Sequence, residues 1–353
     1  MHTRPTPSPS RIRVVVADDS AFMRHVIADG LRERGADVVA VAADGDEALR
    51  ECARHSPDVL SLDLAMPGLD GIGVLKELRA CGSDVAVVVV SAFSPAHGAR
   101  AVDALAEGAV ELVAKPSGGV LPDVFFAELY DKTHMAAASH RKTAAPHRPA
   151  PAAAAPPAPR PVPVRTAAAR AMVIACSTGG PRALAELVPA LPADLGCGIA
   201  IVQHMPAGFT GSLAERLDRA SQLTVREARA GDRLTPGVAL LAPGGFHMRL
   251  SDGGTVRLTE DAEIGGLRPR ADLTISDAAA IYGNRLLVAV LTGMGKDGLE
   301  GAQVVKRLGG RILVEDESTC TVYGMPRSIS EAHLADAELP LGELAAAIAE
   351  EAR

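Results

Sequence analysis

Short apolar runs alternate with amphipathic segments in the first part of the chain. The runs are rich in valine and lie at 13–17, 37–42, 58–63, 84–91 and 109–113. Runs of this length and composition are typical of buried strands, and the segments between them have the apolar spacing of helices. The alternation predicts a parallel sheet of five strands, with helices on both faces, in roughly the first 130 residues.

The same alternation returns after residue 170. Apolar runs lie at 171–175, 198–203, 239–242, 286–291 and 311–314, and antiparallel strands are expected around 246–259. The two halves share no repeat at the level of residues. They are therefore predicted to be different modules, of which the second is a doubly wound α/β domain.

The segment between the two halves has a different composition. Residues 135–170 carry repeated proline and alanine, with almost no large apolar residue to bury. Such a segment predicts a semi-extended tether. The expected organisation is a first domain at 1–134, a linker at 135–170 and a second domain at 171–353, which suits a chain too long for one ordinary core.

Composition and charge exclude several classes of protein. The chain is 48% hydrophobic and 22% charged with a net charge of −7, so it is globular and has no general attraction to nucleic acid. No basic helix-turn-helix pattern follows the tether, which argues against a DNA-binding output. Five scattered cysteines without a C-x-x-C pair indicate a reducing compartment. With no apolar leader and no membrane-length apolar run, we expect a cytoplasmic protein without membrane insertion.

Polar residues stand where the strands of the first domain end. Asp18 and Asp19 follow the first strand and Asp63 ends the third, while Ser91 ends the fourth and Lys115 follows the fifth. The carboxyl ends of parallel strands meet at one edge of the sheet, where ligands bind. Taken singly, these residues are as typical of a helix cap or a surface charge. Their occurrence at successive strand ends favours a site.

The residue types at this edge indicate a particular chemistry. Carboxylates that converge repel one another unless a hard cation such as Mg²⁺ lies between them. An aspartate beside that cation is suited to accept a phosphoryl group, and Asp63 is the central candidate. Ser91 and Lys115 are suited to contact the phosphoryl oxygens.

This half resembles the response-regulator receiver family, which has a flavodoxin-like fold. The resemblance covers about residues 11–130 and rests on the segments VVVADDS, LSLDLAMPGLDG, VVVVSAF and AKPS. It implies that Asp63 is the phosphoacceptor, that Asp18, Asp19 and Asp63 hold Mg²⁺, and that a histidine kinase is the phosphodonor. Ala65 would contribute only its backbone carbonyl. Ala65 and Leu112 depart from the acidic and aromatic residues frequent in this branch, which bears on the conformational readout.

Three strand ends of the second domain carry a hydroxyl, an imidazole and a carboxylate. Ser177 begins the turn STGGP after the first strand, His204 follows the second, and Asp297 lies in the glycine-rich turn after 286–291. Each one alone is as typical of a helix cap or a structural histidine. Together they meet the requirement for a Ser-His-Asp triad. A phosphorylation-dependent binding module is the alternative, and it is disfavoured because all three residues are present.

This half resembles the chemotaxis protein-glutamate methylesterases. The matching segments are ACSTGGP, IVQHMPAGFTGSLAERL, LAPGGFHM, LTGMGKDG and CTVYGMPRS, which span nearly all of 171–335. The resemblance implies that Ser177 is the nucleophile, His204 the general base and Asp297 the group that orients it. Thr178 and the backbone N–H of Met294 would lie beside the oxyanion, and no cofactor is needed in this domain.

The same resemblance implies a reaction and its control. Glutamate γ-methyl esters on methyl-accepting chemotaxis receptors would be hydrolysed with release of methanol, and specific glutamines would be deamidated. The unmodified receiver would cover the active site until Asp63 is phosphorylated, and the chain would act as a monomer. Leu267 and Arg270 depart from the family pattern His-Arg-Pro-Ser, so the resemblance does not specify the substrate contacts around this loop. Lys296, where asparagine is common, is expected to point away from the chemistry.

Overall fold

The computed structural model describes residues 11–92, 95–116, 122–143 and 171–352. The chain divides into two compact units, 1–145 and 146–353. No helix in the described residues is long and apolar enough to cross a membrane.

The described part of the first unit alternates strands and helices throughout. Its elements are β1 (Arg13–Ala17), α1 (Ala21–Glu33), β2 (Asp37–Ala42), α2 (Gly45–His55), β3 (Val59–Leu62), α3 (Gly71–Ala80), β4 (Ala86–Ala92), α4 (Pro95–Ala106), β5 (Glu111–Lys115) and α5 (Asp123–Thr143). The strands pair in the order β2-β1-β3-β4-β5, and every pair is parallel. The predicted five-stranded parallel sheet is confirmed.

Polar caps and an apolar core explain this arrangement. Ser20, Asp44 and Asp70 precede α1, α2 and α3, and each side chain accepts a hydrogen bond from an N–H of the first turn. On one face of the sheet, Val14 and the neighbouring strand residues pack against buried residues of α1 and α5 such as Leu129. The charged and capping residues are thereby left at the carboxyl edge of the sheet.

The helix α5 continues beyond the expected end of the first domain. Residues 135–143 belong to it, whereas the sequence predicted that the tether begins at 135. Ala136 and Ala137 are buried in the core of the first unit. Alanine is the best helix former and the first proline comes only at Pro146, so this stretch extends the helix. The rest of the predicted tether, 144–170, lies outside the described residues.

The second unit is built around one larger parallel sheet. Its elements are β6 (Ala171–Cys176), α6 (Gly180–Ala190), β7 (Gly198–Gln203), α7 (Phe209–Ala220), β8 (Thr224–Glu227), β9 (Val238–Leu241), β10 (His247–Ser251), β11 (Thr255–Thr259), α8 (Ala271–Tyr282), β12 (Leu286–Val290), α9 (Leu299–Arg307), β13 (Arg311–Glu315), α10 (Met325–Glu331), β14 (Ala337–Leu339) and α11 (Leu341–Glu351). The sheet has the order β14-β13-β12-β6-β7-β9-β8, and β10 and β11 form the expected antiparallel pair.

The order of these strands places the site. The second unit begins with the central strand β6, and the chain then passes to β7 on one side of it. It returns later to β12 on the other side of β6. The carboxyl ends of β6, β7 and β12 therefore meet at the point where the winding reverses, where α/β sheets bind ligands. Buried residues of these strands, including Val173 and Val288, pack against Ile275 of α8 and form the core beneath that edge.

Candidate active site and phosphorylation site

The carboxyl edge of the first sheet holds two buried carboxylates around one amine. Nζ of Lys115 lies 2.6 Å from Oδ2 of Asp18 and 2.7 Å from Oδ2 of Asp63. Burial and the neighbouring Asp63 raise the pKa of Asp18, and Lys115 opposes this rise. Burial would lower the pKa of Lys115, yet the two carboxylates raise it. The cluster is thus an acidic site in which the amine of Lys115 supplies one positive charge.

A third carboxylate completes a set of oxygen donors. Oxygens of Asp18, Asp19 and Asp63 all lie within 4.8 Å of one another, and Asp19 is exposed to solvent. Carboxylate oxygens are the donors that Mg²⁺ prefers, and one lysine leaves the set with excess negative charge. These residues fit a divalent cation on both counts.

Ser91, Ala65 and Leu112, the other residues considered for this edge, have different surroundings. Ser91 is buried near the end of β4, in register with Ala114 of β5. The N–H of Ala65 donates to Oδ1 of Asp63 over 3.3 Å, so this residue contacts the site through its backbone. Leu112 is buried within β5 and belongs to the core of the sheet. An aromatic side chain at position 112 would meet that core.

Ser177 and His204 occupy neighbouring strand ends in the second unit. Cys176 of β6 pairs with Gln203 of β7, so Ser177 and His204 are the next residues on adjacent parallel strands. The N–H of Ser177 donates to the carbonyl of Thr292, and the N–H of His204 donates to that of Cys176. Backbone hydrogen bonds therefore hold the nucleophile candidate between the base candidate and the end of β12.

His204 and Asp297 are joined directly. Nε2 of His204 lies 2.7 Å from Oδ2 of Asp297, and the two side chains are only 8% and 2% exposed. Asp297 Oδ2 also accepts from the N–H of Ala271. Burial would raise the pKa of Asp297, but the hydrogen bond and charge of His204 and the N–H groups that begin α8 hold it well below its usual range. An ionised acceptor with fixed geometry therefore orients the imidazole.

Thr178 and Met294, the two residues predicted to lie beside the oxyanion, belong to the turns that follow β6 and β12. Thr178 is buried, and its Oγ1 has no hydrogen-bond partner in the described part of the chain. Met294 is 48% exposed at the turn after β12. Its neighbour Gly293 approaches Ser177 so closely that an added Cβ would lie 2.9 Å from the Ser177 Cβ. A glycine is required there for the two turns to meet.

A glutamine that the sequence analysis did not single out bridges the nucleophile and the base. Nε2 of Gln203 donates to the carbonyl of Ser177 over 3.0 Å and to that of His204 over 2.9 Å. Its Oε1 accepts from Sγ of Cys176 over 3.1 Å. The signal for this role was an amide at the end of the otherwise apolar run GIAIVQ, since a buried polar side chain needs partners.

A second unpredicted contact supports the nucleophile from the opposite side. Oε2 of Glu315, which is fully buried at the end of β13, accepts from the N–H of Thr292 over 2.8 Å. Thr292 Oγ1 donates to the carbonyl of Thr178 over 2.9 Å. A carboxylate on β13 is thus linked through Thr292 to the backbone around Ser177.

Comparison with known proteins identifies a family for each of the two domains. Residues 172–348 match the family model for the CheB methylesterase, and residues 14–120 match that for the response regulator receiver domain. A protein-glutamate methylesterase/protein-glutamine glutaminase of Symbiobacterium thermophilum is 42% identical, and the alignment covers 96% of each chain. A protein of the same name from Thermotoga maritima is 39% identical over 93% of this chain and 95% of its own.

A solved structure shows the same fold in the second unit. The crystal structure of the Thermotoga maritima CheB methylesterase catalytic domain is 44% identical to this chain, with a TM-score of 0.50. The match covers 52% of this chain and 99% of that domain. The chain is a hydrolase that belongs to the CheB methylesterase family, with a response regulator receiver domain ahead of its methylesterase domain.

Proposed function

We propose that this chain hydrolyses glutamate γ-methyl esters on methyl-accepting chemotaxis receptors, and deamidates glutamines there, by a Ser177-His204-Asp297 triad under the control of Asp63 phosphorylation. The observation that carries the proposal is the 2.7 Å contact of His204 with Asp297 beside the strand end that bears Ser177. The curated relatives are named for both reactions.

The triad performs the reaction in two halves. Asp297 engages Nε2 of His204 and leaves Nδ1 to take the proton of Ser177 as Oγ attacks the ester carbonyl carbon. The bond from that carbon to the methoxy oxygen breaks, and His204 returns the proton so that methanol leaves. Water then attacks the acyl-enzyme by the same proton transfers, the bond to Ser177 Oγ breaks, and the receptor leaves with a free glutamate side chain. With a glutamine substrate, ammonia is the leaving group.

The tetrahedral oxyanion forms beside the start of α6. In the proposal it is held by the N–H of Met294 and by the Thr178 hydroxyl, which has no partner among the described residues. Each preorganised donor of this kind is worth about 10²–10³ in rate. The side chain of Met294 is exposed, and the proposal has the methyl ester contact it.

Control is assigned to the first domain. A histidine kinase would donate a phosphoryl group to Asp63, and Asp18, Asp19 and Asp63 would hold Mg²⁺. The cation, when bound, neutralises charge on the transferring phosphoryl group. Lys115, which pairs with Asp63 before modification, is then suited to pair with the new phosphoryl oxygens. A covalent linker keeps the switch at high effective concentration near the domain it controls.

The proposal is tested by methanol release from methylated receptor, with and without a small phosphodonor and Mg²⁺. The variants are Ser177→Ala, Asp63→Asn and two matched controls, Ser212→Ala in α7 and Asp46→Asn on the exposed side of α2. We expect release to need Ser177 and to rise with the phosphodonor only when Asp63 is intact. Release that survives Ser177→Ala refutes the triad, and stimulation that survives Asp63→Asn refutes the switch.

A further inference from the structure

Arg270 is placed against two carboxylates of the methylesterase domain. Its Nη2 lies 2.8 Å from Oδ2 of Asp272, and its Nε lies 3.5 Å from Oδ1 of Asp297. The guanidinium is 12% exposed, and its Nη1 also donates to the carbonyl of Ile264 over 3.1 Å. The side chain therefore ties a loop and two acidic groups together in a largely buried place.

The two carboxylates lie close enough to share a donor. The N–H of Gly298 is 2.9 Å from Oδ1 of Asp272 and 3.0 Å from Oδ1 of Asp297. Each group also receives an N–H from the first turn of a helix: Asp297 accepts from Asp272 N of α8, and Asp272 accepts from Gly301 N of α9. Asp297 thus caps α8, which contains Asp272, and Asp272 caps α9, which follows Asp297 in the chain.

Like charges at this separation disfavour double ionisation. Burial, with the charge of Asp297, raises the pKa of Asp272 to about 6, while Arg270 opposes the rise. The groups that face the pair are the guanidinium of Arg270 on one side and the imidazole of His204 on the other, where it contacts Asp297. Without the guanidinium, a proton would enter the pair more readily.

We propose that Arg270 is a positioning residue that keeps Asp272 and Asp297 ionised together, so that Asp297 presents a full negative charge to His204. Asp297 accepts from His204 through Oδ2, while its Oδ1 faces Arg270 and Asp272. When Asp272 is protonated, it donates a hydrogen bond to Asp297, and this bond competes with the imidazole for the charge of Asp297. This role rests on the proposed triad and adds a residue outside it.

The proposal concerns a position where this chain departs from the pattern it resembles. Serine is usual there, and a serine would serve as an ordinary helix cap. Arg270 stands at the N-cap of α8 without a side-chain cap of its own, since the carboxylate of Asp297 meets the first N–H groups of that helix. Asp297 therefore caps α8 in place of the N-cap side chain, and Arg270 balances the negative charges of Asp272 and Asp297.

The test measures the titration of Asp272 in the full chain by carbon-13 NMR of labelled aspartate carboxyls. Asp272→Asn assigns the signal, because it removes the titrating group. Arg270→Met and Arg270→Ser remove the charge with two different side chains, and Arg270→Lys retains it. Arg226→Met is the matched control, since it removes an arginine from the ion pair with Asp232 on the surface. Methanol release against pH is recorded for the same proteins.

We expect the Asp272 midpoint to rise by about one pH unit in Arg270→Met and Arg270→Ser and to stay in Arg270→Lys and Arg226→Met. The acid limb of methanol release is expected to move upward in parallel, whereas a purely structural loss would lower the rate at every pH. An Asp272 midpoint that is the same with and without the guanidinium overturns the proposal. If the wild type releases no methanol, the proposed function fails, and the NMR titration still decides the role of Arg270.

Discussion

Replacing Gln203 by methionine removes the bridge between the nucleophile and the base while keeping the size of the side chain. The carbonyls of Ser177 and His204 each lose an N–H donor, and Cys176 Sγ loses an acceptor. The Ser177 carbonyl keeps a hydrogen bond from the N–H of Gly180 over 2.7 Å, so the loss falls mainly on His204. The substitution therefore loosens the base more than the nucleophile.

The size of the effect follows from these contacts. A buried acceptor left without a donor costs about 1–3 kcal/mol, and the His204 carbonyl is only partly buried. We expect the free energy of unfolding to fall by about 1–2 kcal/mol. A misplacement of about 1 Å at a catalytic group lowers the rate by about 10²-fold, so kcat is expected to fall about ten- to a hundredfold. KM is expected to stay unchanged, since Gln203 is buried and offers almost no surface for a substrate to contact.

Methanol release and urea unfolding measure these two quantities. Gln303→Met is the matched control, because it makes the same substitution at an exposed position of α9. If Gln203→Met keeps both kcat and the free energy of unfolding at the level of Gln303→Met, the bridge has no role in placing the triad and the reasoning is wrong.

Two further predictions concern the packing and charge around the nucleophile. In Gly180→Ala, the new Cβ would lie 2.0 Å from Gln203 Oε1, so we expect the free energy of unfolding, measured by thermal unfolding, to fall by about 1–3 kcal/mol. The control is Gly342→Ala on α11, where the new Cβ has no neighbour within 4 Å and the change should be neutral or stabilising. Equal effects of the two substitutions would contradict the prediction. Burial raises the pKa of Glu315 above its ordinary 4.5, so its proton stabilises the fold at low pH and that stabilisation is lost as the pH rises through the folded pKa. Glu315→Gln, which can still accept from Thr292, should therefore gain stability over the wild type as the pH rises, while the exposed Glu343→Gln should not. The free energy of unfolding in urea is measured against pH for each protein, and the same pH dependence in Glu315→Gln and the wild type would refute this.

Much of the fold could be predicted because the central strands are apolar on both faces. The central strand β1 has the predicted bounds, since polar residues border a run that must be buried. The short edge strands β8 and β14 were missed. Their sequences TVRE and AEL carry charged residues, and they form strands because β9 and β13 offer free edges to pair with.

The candidate site was predictable only in part, for a related reason. His204 and Asp297 could be placed at one edge because strand ends converge there. Arg270 reaches Asp297, and Glu315 reaches Thr292, from parts of the chain that are far apart in sequence, so these contacts depend on the folded chain. No local spacing encodes such pairs.

The reciprocal caps of α8 and α9 have a consequence for how inactive variants are understood. Replacing Asp297 removes the partner of His204 and, at the same time, the acceptor for the first N–H groups of α8. Selection for a folded protein would therefore retain this aspartate even after the chemistry had been lost. An aspartate at this position in a related sequence is evidence for the fold first, and only together with the serine and the histidine is it evidence for an active enzyme.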